Sequence, residues 1–228
     1  ATAKLKRMRN LEVAEIVDQV ALIDKQSKLY FDRPLSNIVF MGMGEPMMNY
    51  KNVVDAIRKI TQEDGLGMSA RRITVSTSGI PKMMKMLADE NLKVKLALSL
   101  HSAIEHKRNE IMPFSTKFPL TEIMEAMQYW YDKTGSRITF EYCVWKGIND
   151  GDEDIKALIK YCKQVPCKVN LIQYNPIGEG KFDHRSVEAE EKYVRELEKA
   201  GITALVRRSR GGDIDAACGQ LANKNSGE

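Results

Sequence analysis

The segment from Asn37 to Pro46 reads NIVFMGMGEP, and this order of residues decides the fold class. Ile38, Val39 and Phe40 are of the β-branched and aromatic types that favour a strand, and the glycines behind them favour a sharp turn. An amphipathic stretch follows over 50–61, and a second β-rich run opens near Arg72. Strand, helix and strand in this order predict a parallel βαβ unit.

The same unit repeats along the chain. The β-rich segments open near six residues: Asn37, Arg72, Val94, Arg137, Cys167 and Thr203. Stretches with helical spacing of apolar residues cover 11–28, 50–61, 81–90, 120–133, 152–164 and 186–200. Asn10 is placed to cap the first of these helices. The pattern predicts an α/β fold with a parallel sheet, either a barrel or a doubly wound sheet, in one domain over 1–228.

Composition excludes several classes of protein. Hydrophobic residues make up 43% of the 228 residues, which is enough for a sizeable core, yet no apolar run approaches the roughly 18 residues of a membrane span. The four cysteines match no zinc or haem spacing, and without a secretory signal they are expected to be reduced. The net charge of +4 is compatible with nucleic acid as a partner. We expect a monomeric cytoplasmic protein without a membrane partner.

Unusual sequences follow the predicted strands at their carboxyl ends, where parallel α/β folds build their sites. The first strand is followed by GMGEP, the second ends in STSG, the third ends in SLH, and the fifth is followed by YNPIG. These motifs occupy 42–46, 76–79, 99–101 and 174–178. Because the carboxyl ends of parallel strands meet at one edge of a sheet, we expect all four motifs to lie on one rim.

The first motif combines a flexible backbone with a carboxylate. Gly44 lets the chain approach a ligand closely, and Glu45 places its carboxylate beside backbone carbonyl groups. All of these oxygens are acceptors, which suits an ammonium group because an ammonium has only donors. The spacing is that of neither a phosphate loop nor a dinucleotide fingerprint. An ordinary tight turn is an equally good interpretation of this motif alone.

The other rim residues are compatible with binding and with plain structural roles. The hydroxyl groups of residues 76–78 suit a carboxylate or a ribose, and they also suit a solvated turn. His101 fits a structural hydrogen-bonding role better than that of a general base. Asn175 precedes a proline, which holds its backbone extended and leaves its amide available for hydroxyl groups or for a simple turn.

Cys218 lies in the segment DIDAACGQLA at 213–222. Small neighbours leave its sulfur little shielded, and the basic residues Arg207, Arg208 and Arg210 precede it. Because access and charge environment control thiol reactivity, Cys218 is a candidate reactant, with a small apolar position on a terminal helix as the alternative. The three arginines are candidates for phosphate contacts or for a solvated surface.

These motifs, in this order, resemble a known family. GMGEP, STSG, SLH, the NP at 175–176 and above all DIDAACGQLA are similar to the radical S-adenosylmethionine (SAM) enzymes that methylate adenosine in RNA. The resemblance covers essentially the whole chain, and it is closer to the branch that methylates carbon 2 than to the carbon-8 branch. It implies an incomplete, TIM-like βα barrel of the radical SAM type, with the first barrel strand and the cluster loop missing from this chain.

The resemblance implies a role for each part of the rim. Gly44 and Glu45 would hold the methionine end of SAM. The SAM pocket would be completed by Ser76, Ser99, Leu100, His101 and Asn175. Cys218 would carry the methyl group as S-methylcysteine, since one SAM methylates the sulfur. A second SAM, cleaved at a 4Fe-4S cluster, would give the radical that activates this methyl group for addition to adenine.

The resemblance also implies partners. The substrates would be 23S rRNA, at the peptidyl-transferase centre, and tRNA. Arg207, Arg208 and Arg210 would lie near their phosphates. The target adenosine would be unstacked and extruded into the pocket, because its ring carbons are inaccessible inside folded RNA. An electron donor such as flavodoxin would reduce the cluster.

The sequence departs from the family in its cysteines. A radical SAM cluster is held by a C-x-x-x-C-x-x-C run, and no such run occurs here. Cys143, Cys162 and Cys167 do not match the missing positions and are interpreted as structural. The cluster ligands, and a second thiol that forms a disulfide with Cys218, are expected upstream of Ala1. On this interpretation the chain is the carboxyl-terminal part of the enzyme and is inactive alone.

Three alternatives stay open. The chain could be a clusterless module that binds SAM and RNA without catalysis, or a carbon-8 rRNA methyltransferase. A small-molecule enzyme on an α/β barrel is the third, and the motifs disfavour it.

Overall fold

The computed structural model describes residues 9–42, 44–173 and 187–207. In these ranges the strands are β1 (Ile38–Phe40), β2 (Ile73–Thr77), β3 (Lys95–Ser99), β4 (Ile138–Tyr142), β5 (Cys167–Ile172) and β6 (Ala204–Arg207). The helices are α1 (Val13–Phe31), α2 (Tyr50–Thr61), α3 (Pro81–Asp89), α4 (Glu105–Ile111), α5 (Leu120–Thr134), α6 (Asp152–Cys162) and α7 (Val187–Lys199). Short 3₁₀ helices cover Pro46–Asn49, Ala70–Arg72 and Pro113–Lys117. Among the helices of the described ranges, none combines the length and the apolar composition that a membrane span requires.

The described strands form one parallel sheet in the order β1-β2-β3-β4-β5-β6. Since parallel crossovers are right-handed, a strictly sequential order places the crossover helices on the same face. A doubly wound sheet would instead reverse its order at a switch point. Among the described strands β1 and β6 are the two edges, so the sheet is an open, barrel-type arrangement. The expected incomplete βα barrel is confirmed.

The two faces of the sheet differ in chemistry because successive side chains of a strand point to opposite sides. In β4 the side chains of Ile138, Phe140 and Tyr142 are fully buried in the hydrophobic core, together with residues from the helices. The alternate positions, Thr139 and Glu141, are also buried but polar. The core therefore lies between the helices and one face of the sheet.

We call the opposite side the polar face. Its central residues are Ser76, Ala97, Ser99, Thr139, Glu141 and Asn170. Strand register arranges them in two rows, of which the first runs Ser76–Ala97–Thr139 and the second runs Ser99–Glu141–Asn170. The second row lies nearer to the carboxyl ends of the strands, where a site is expected.

The predicted cap of α1 was wrong. The helix begins at Val13 with Glu12 as its N-cap, and the backbone N–H of Glu12 donates to the Glu15 carboxylate at 2.8 Å. The side-chain amide of Asn10 donates instead to the carbonyl of Met48 at 3.4 Å. The Asn10 side chain thus binds a residue distant in sequence and does not cap the helix that follows it.

The other predicted helices agree with the observed bounds to within three residues. Helix α4 was not predicted, because its sequence EHKRNEI carries four charged residues in seven and shows no apolar periodicity. This short helix nevertheless matters for the site, because it carries a buried arginine.

Candidate functional site

The carboxyl ends of β1, β2 and β3 bring three of the four predicted motifs to one edge of the sheet. GMGEP follows β1, STSG spans the end of β2, and SLH spans the end of β3. The expectation of a shared rim is therefore met for these three. The fourth motif with Asn175, and also Arg208, Arg210 and Cys218, lie outside the described residues.

Glu45 connects the first motif to the second. Its Oε1 accepts a hydrogen bond from the backbone N–H of Met47 at 3.1 Å. Its Oε2 accepts from both the backbone N–H and the hydroxyl of Ser78, each at 2.7 Å. A carboxylate has about four acceptor positions, so these three donors fix its orientation and leave room for one more.

Two glycines shape this edge. Gly44 has φ +91°, which side chains rarely tolerate, and a Cβ there would meet open space. Gly79 has φ +97°, and a Cβ there would lie 2.9 Å from Cδ1 of Ile123 and 3.0 Å from Cδ1 of Leu98. Gly44 is thus required by conformation, whereas Gly79 also lets the loop after β2 pack tightly against α5.

Arg108 lies behind the rim and is fully buried. Its Nη2 donates to the carbonyl of Ser78 at 2.5 Å and, more weakly, to the carbonyl of Ser99 at 3.4 Å. Among the described residues Nε and Nη1 have no hydrogen-bond partner. Burial lowers the pKa of the guanidinium, which still stays charged. Arg108 therefore connects the ends of β2 and β3 in the way that Glu45 connects β1 and β2.

His101 ends the third motif in a left-handed conformation, with φ 56°. Its Nδ1 accepts the backbone N–H of Cys143 at 3.1 Å, and its carbonyl accepts the side-chain amide of Asn149 at 2.7 Å. Because Nδ1 accepts, the proton of the neutral ring lies on Nε2. Burial, and secondly the charge of Arg108, lower the pKa of His101 to about 4. This geometry suits the structural role preferred from the sequence.

The neutral ring of His101 predicts an acid-sensitive fold. The pKa is about 4 in the folded chain and about 6.5 in an unfolded one, so the unfolded chain takes up the proton first as the pH falls. Stability present at pH 7 is therefore lost between about pH 6.5 and pH 4, by about 2 kcal/mol after allowing for partial exposure of the ring. Urea unfolding across this pH range measures the loss.

Two asparagine variants provide the comparison. His101→Asn keeps an acceptor and tolerates positive φ, so it should lose less stability on acidification than the wild type. His106→Asn changes an exposed histidine and should follow the wild-type curve. Equal acid sensitivity in His101→Asn and the wild type would show that His101 is not the cause of the stability loss.

The remaining predicted residues divide between the two faces. Ser76 and Ser99 lie on the polar face, where Ser76 is buried and Ser99 is partly buried. The side chain of Leu100 is buried in the core, and its N–H donates to the carbonyl of Glu141 at 3.0 Å. The carbonyl of Leu100 accepts the N–H of Ser102 at 2.7 Å. Leu100 therefore shapes the turn through its backbone, and its contact with SAM stays a prediction.

Glu141 forms a second polar cluster that the sequence analysis missed. Its Oε1 accepts the side-chain amide of Asn170 at 2.9 Å and lies 3.7 Å from Nη1 of Arg207. The side chain of Glu141 is 3% exposed, against 49% for Arg207. Burial raises the pKa of the carboxyl group. The regular alternation of Thr139 and Glu141 with apolar residues was a signal that could have revealed this polar face.

The described cysteines are structural in their setting. Cys143 and Cys162 are buried, and the thiol of Cys167 donates to the carbonyl of Cys162 at 3.4 Å. Within the described ranges no group of three or more His, Cys, Asp or Glu side chains is arranged to hold a metal. The described residues therefore do not fit an iron–sulfur cluster.

Comparison with known proteins identifies relatives over nearly the whole chain. Residues 3–162 match the model of the radical SAM superfamily. A Flavobacterium psychrophilum protein named "Probable dual-specificity RNA methyltransferase RlmN" is 66% identical over 98% of this chain and 65% of its own length. A Campylobacter hominis protein named "Dual-specificity RNA methyltransferase RlmN" is 42% identical over 98% of this chain and 62% of its own. The chain thus spans less than two thirds of these curated relatives.

Two solved structures resemble this chain over most of its length. The crystal structure of a radical SAM methyltransferase from Sphaerobacter thermophilus matches with a TM-score of 0.90 and 41% identity, over 93% of this chain and 62% of that one. A domain of pyruvate-formate lyase-activating enzyme from Bacteroides vulgatus matches with a TM-score of 0.58 and 16% identity, over 76% of this chain and 99% of that one. The second match shows a shared fold alone.

Proposed function

The chain belongs to the radical SAM superfamily, and from that premise we propose that it is the catalytic part of an RNA methyltransferase. The enzyme transfers a methyl group from SAM to carbon 2 of adenosine in 23S rRNA and tRNA, in the cytoplasm. The observation that carries the proposal is the 66% identity, over 98% of the chain, to a protein named as a dual-specificity RNA methyltransferase.

The described rim fits SAM. The remaining acceptor position of Glu45 suits the ammonium group of the methionine end, and the open space at Gly44 lets a ligand approach the backbone. Bound SAM supplies the methyl group, and the residues of this chain orient it. The other residues assigned to its pocket are Ser76, Ser99, Leu100, His101 and, outside the described residues, Asn175.

Cys218 is assigned the role of methyl carrier in this proposal. Carbon 2 of adenine is not nucleophilic, so it cannot take a methyl group from SAM by simple displacement, whereas a thiolate can. Arg207, at the carboxyl end of β6, is half-exposed and has donors to spare for a phosphate of the RNA. The described residues do not supply cluster ligands, and the proposal assigns them no electron-transfer step.

The test uses the full-length protein with its cluster, a reductant and SAM that carries a deuterated methyl group. An rRNA fragment and tRNA serve as substrates, and mass spectrometry of the digested nucleosides identifies the methylated position. Mass spectrometry of the peptide that contains Cys218 detects an S-methyl group. We expect 2-methyladenosine in both RNAs and S-methylcysteine at Cys218.

Each other outcome overturns a defined part of the proposal. Formation of 8-methyladenosine would place the protein in the carbon-8 branch. SAM binding without methylation of either RNA would favour a binding module. If the active enzyme contains an unmodified Cys218 thiol, Cys218 is not the methyl carrier.

A further inference from the structure

Glu141 is a buried carboxylate with an unused acceptor atom. Its Oε1 is engaged by Asn170 and faces Arg207, whereas Oε2 has no hydrogen-bond partner among the described residues. A buried polar atom without a partner is costly, and such atoms are rare in folded proteins. The position therefore calls for a donor that is absent from the described residues.

The position of Glu141 places its side chain on the polar face, at the end of the sheet that carries the candidate site. Glu141 is the penultimate residue of β4, and strand register places it between Ser99 and Asn170 on the polar face. Its backbone carbonyl also accepts the N–H of Leu100 at 3.0 Å, so the residue supports the turn of the third motif. The carboxylate and the rim thus belong to the same end of the sheet.

Spacing across the sheet selects the part of the ligand that can reach Glu141. Neighbouring strands lie about 4.8 Å apart, so β4 is about 14 Å from β1, whose carboxyl end carries Glu45. If Glu45 takes the amino-acid end of SAM, an extended molecule crosses β2 and β3 and brings its nucleoside towards β4. The donors available there are the ribose hydroxyl groups and the adenine amine.

We propose that Glu141 is a specificity-determining residue that accepts hydrogen bonds from the ribose hydroxyl groups of SAM. The inference rests on the proposed function and deepens it. A vicinal diol offers O–H donors on two adjacent carbons, and the free carboxylate oxygen can accept from either of them. Asn170 holds the carboxylate in place from the other side, so its orientation is set before the ligand arrives.

A cycle of protein and ligand variants tests the contact. The probes are S-adenosylhomocysteine, which cannot donate a methyl group, and its 2′-deoxy, 3′-deoxy and 6-deamino analogues. Calorimetry on the full-length protein with its cluster compares the wild type with Glu141→Ala, and with Glu141→Gln in case the alanine variant fails to fold. Glu125→Gln, an exposed position on α5, is the control.

The expected result is coupling between Glu141 and the ribose. At least one deoxy analogue should bind the wild type about tenfold more weakly than S-adenosylhomocysteine, and this loss should shrink to less than about threefold in Glu141→Ala. Glu125→Gln should keep the wild-type pattern. Equal losses in wild type and variant would overturn the ribose contact, and coupling to the 6-deamino analogue would reassign Glu141 to the adenine. If the wild type binds no S-adenosylhomocysteine, the proposed function fails instead.

Discussion

Replacement of Glu45 by glutamine is expected to weaken SAM binding by about 100-fold, or about 2.7 kcal/mol. Two losses combine. The charge that faces the ammonium group disappears, and hydrogen bonds to charged groups contribute about 1.5–3 kcal/mol. In addition, the donors of Met47 and Ser78 now bind two carboxylate oxygens, whereas a side-chain amide has only one oxygen. Its NH2 group would therefore face the backbone N–H of either Met47 or Ser78. Equilibrium dialysis of SAM with the full-length protein measures the effect.

A graded set of variants separates the two losses. Ser78→Ala removes one of the three donors and leaves the charge of Glu45, so its effect should be smaller, about three- to tenfold. Glu63→Gln changes an exposed carboxylate in the turn after α2 and should bind SAM like the wild type. If Glu45→Gln binds SAM within threefold of the wild type, then Glu45 only stabilises the loop, and another group binds the ammonium of SAM.

The sheet and its rim could be predicted from sequence because their signals are local. All six β-rich runs became strands, since each is short and bounded by turns or amphipathic stretches. Parallel strands put their carboxyl ends on one edge by topology alone, so the meeting of GMGEP, STSG and SLH required no knowledge of side-chain contacts.

The contacts that connect the rim could not be predicted, because they depend on tertiary packing. Arg108 lies in a charged heptapeptide that is typical of an exposed helix, and only the fold buries it beneath two loops. Glu45 was predicted as a ligand for an ammonium group, but its two hydrogen bonds from Ser78 in the loop after β2 carry no sequence signature. Glu141 was predictable in part, since its place in the alternation of β4 marks a polar face although not its partners.

Replacement of Arg108 by methionine is expected to lower the rate of SAM-dependent methylation by about 100-fold with little change in stability. Burying a guanidinium is costly, and apolar replacement of buried ions is often neutral or stabilising by about 1–4 kcal/mol. Against this gain, the carbonyl groups of Ser78 and Ser99 lose a donor, at about 1–3 kcal/mol each. These opposing changes nearly cancel in the unfolding free energy, whereas the loops lose their common anchor. A displacement of about 1 Å at such a site costs about 100-fold in rate.

The pKa of His101 in Arg108→Met separates a positioning role of Arg108 from simple structural support. The charge of Arg108 is one of two causes that lower the pKa of His101, the larger being burial. In Arg108→Met the pKa of His101, followed by NMR of its ring, should rise and yet stay below the usual 6.5. Arg108→Lys keeps the charge but cannot reach two carbonyl groups in the same geometry, so it should restore the low pKa and only part of the rate. Arg71→Met, an exposed position before β2, should change neither quantity. If Arg108→Met instead unfolds together with its loss of activity, or keeps the full rate, then Arg108 does not position the rim.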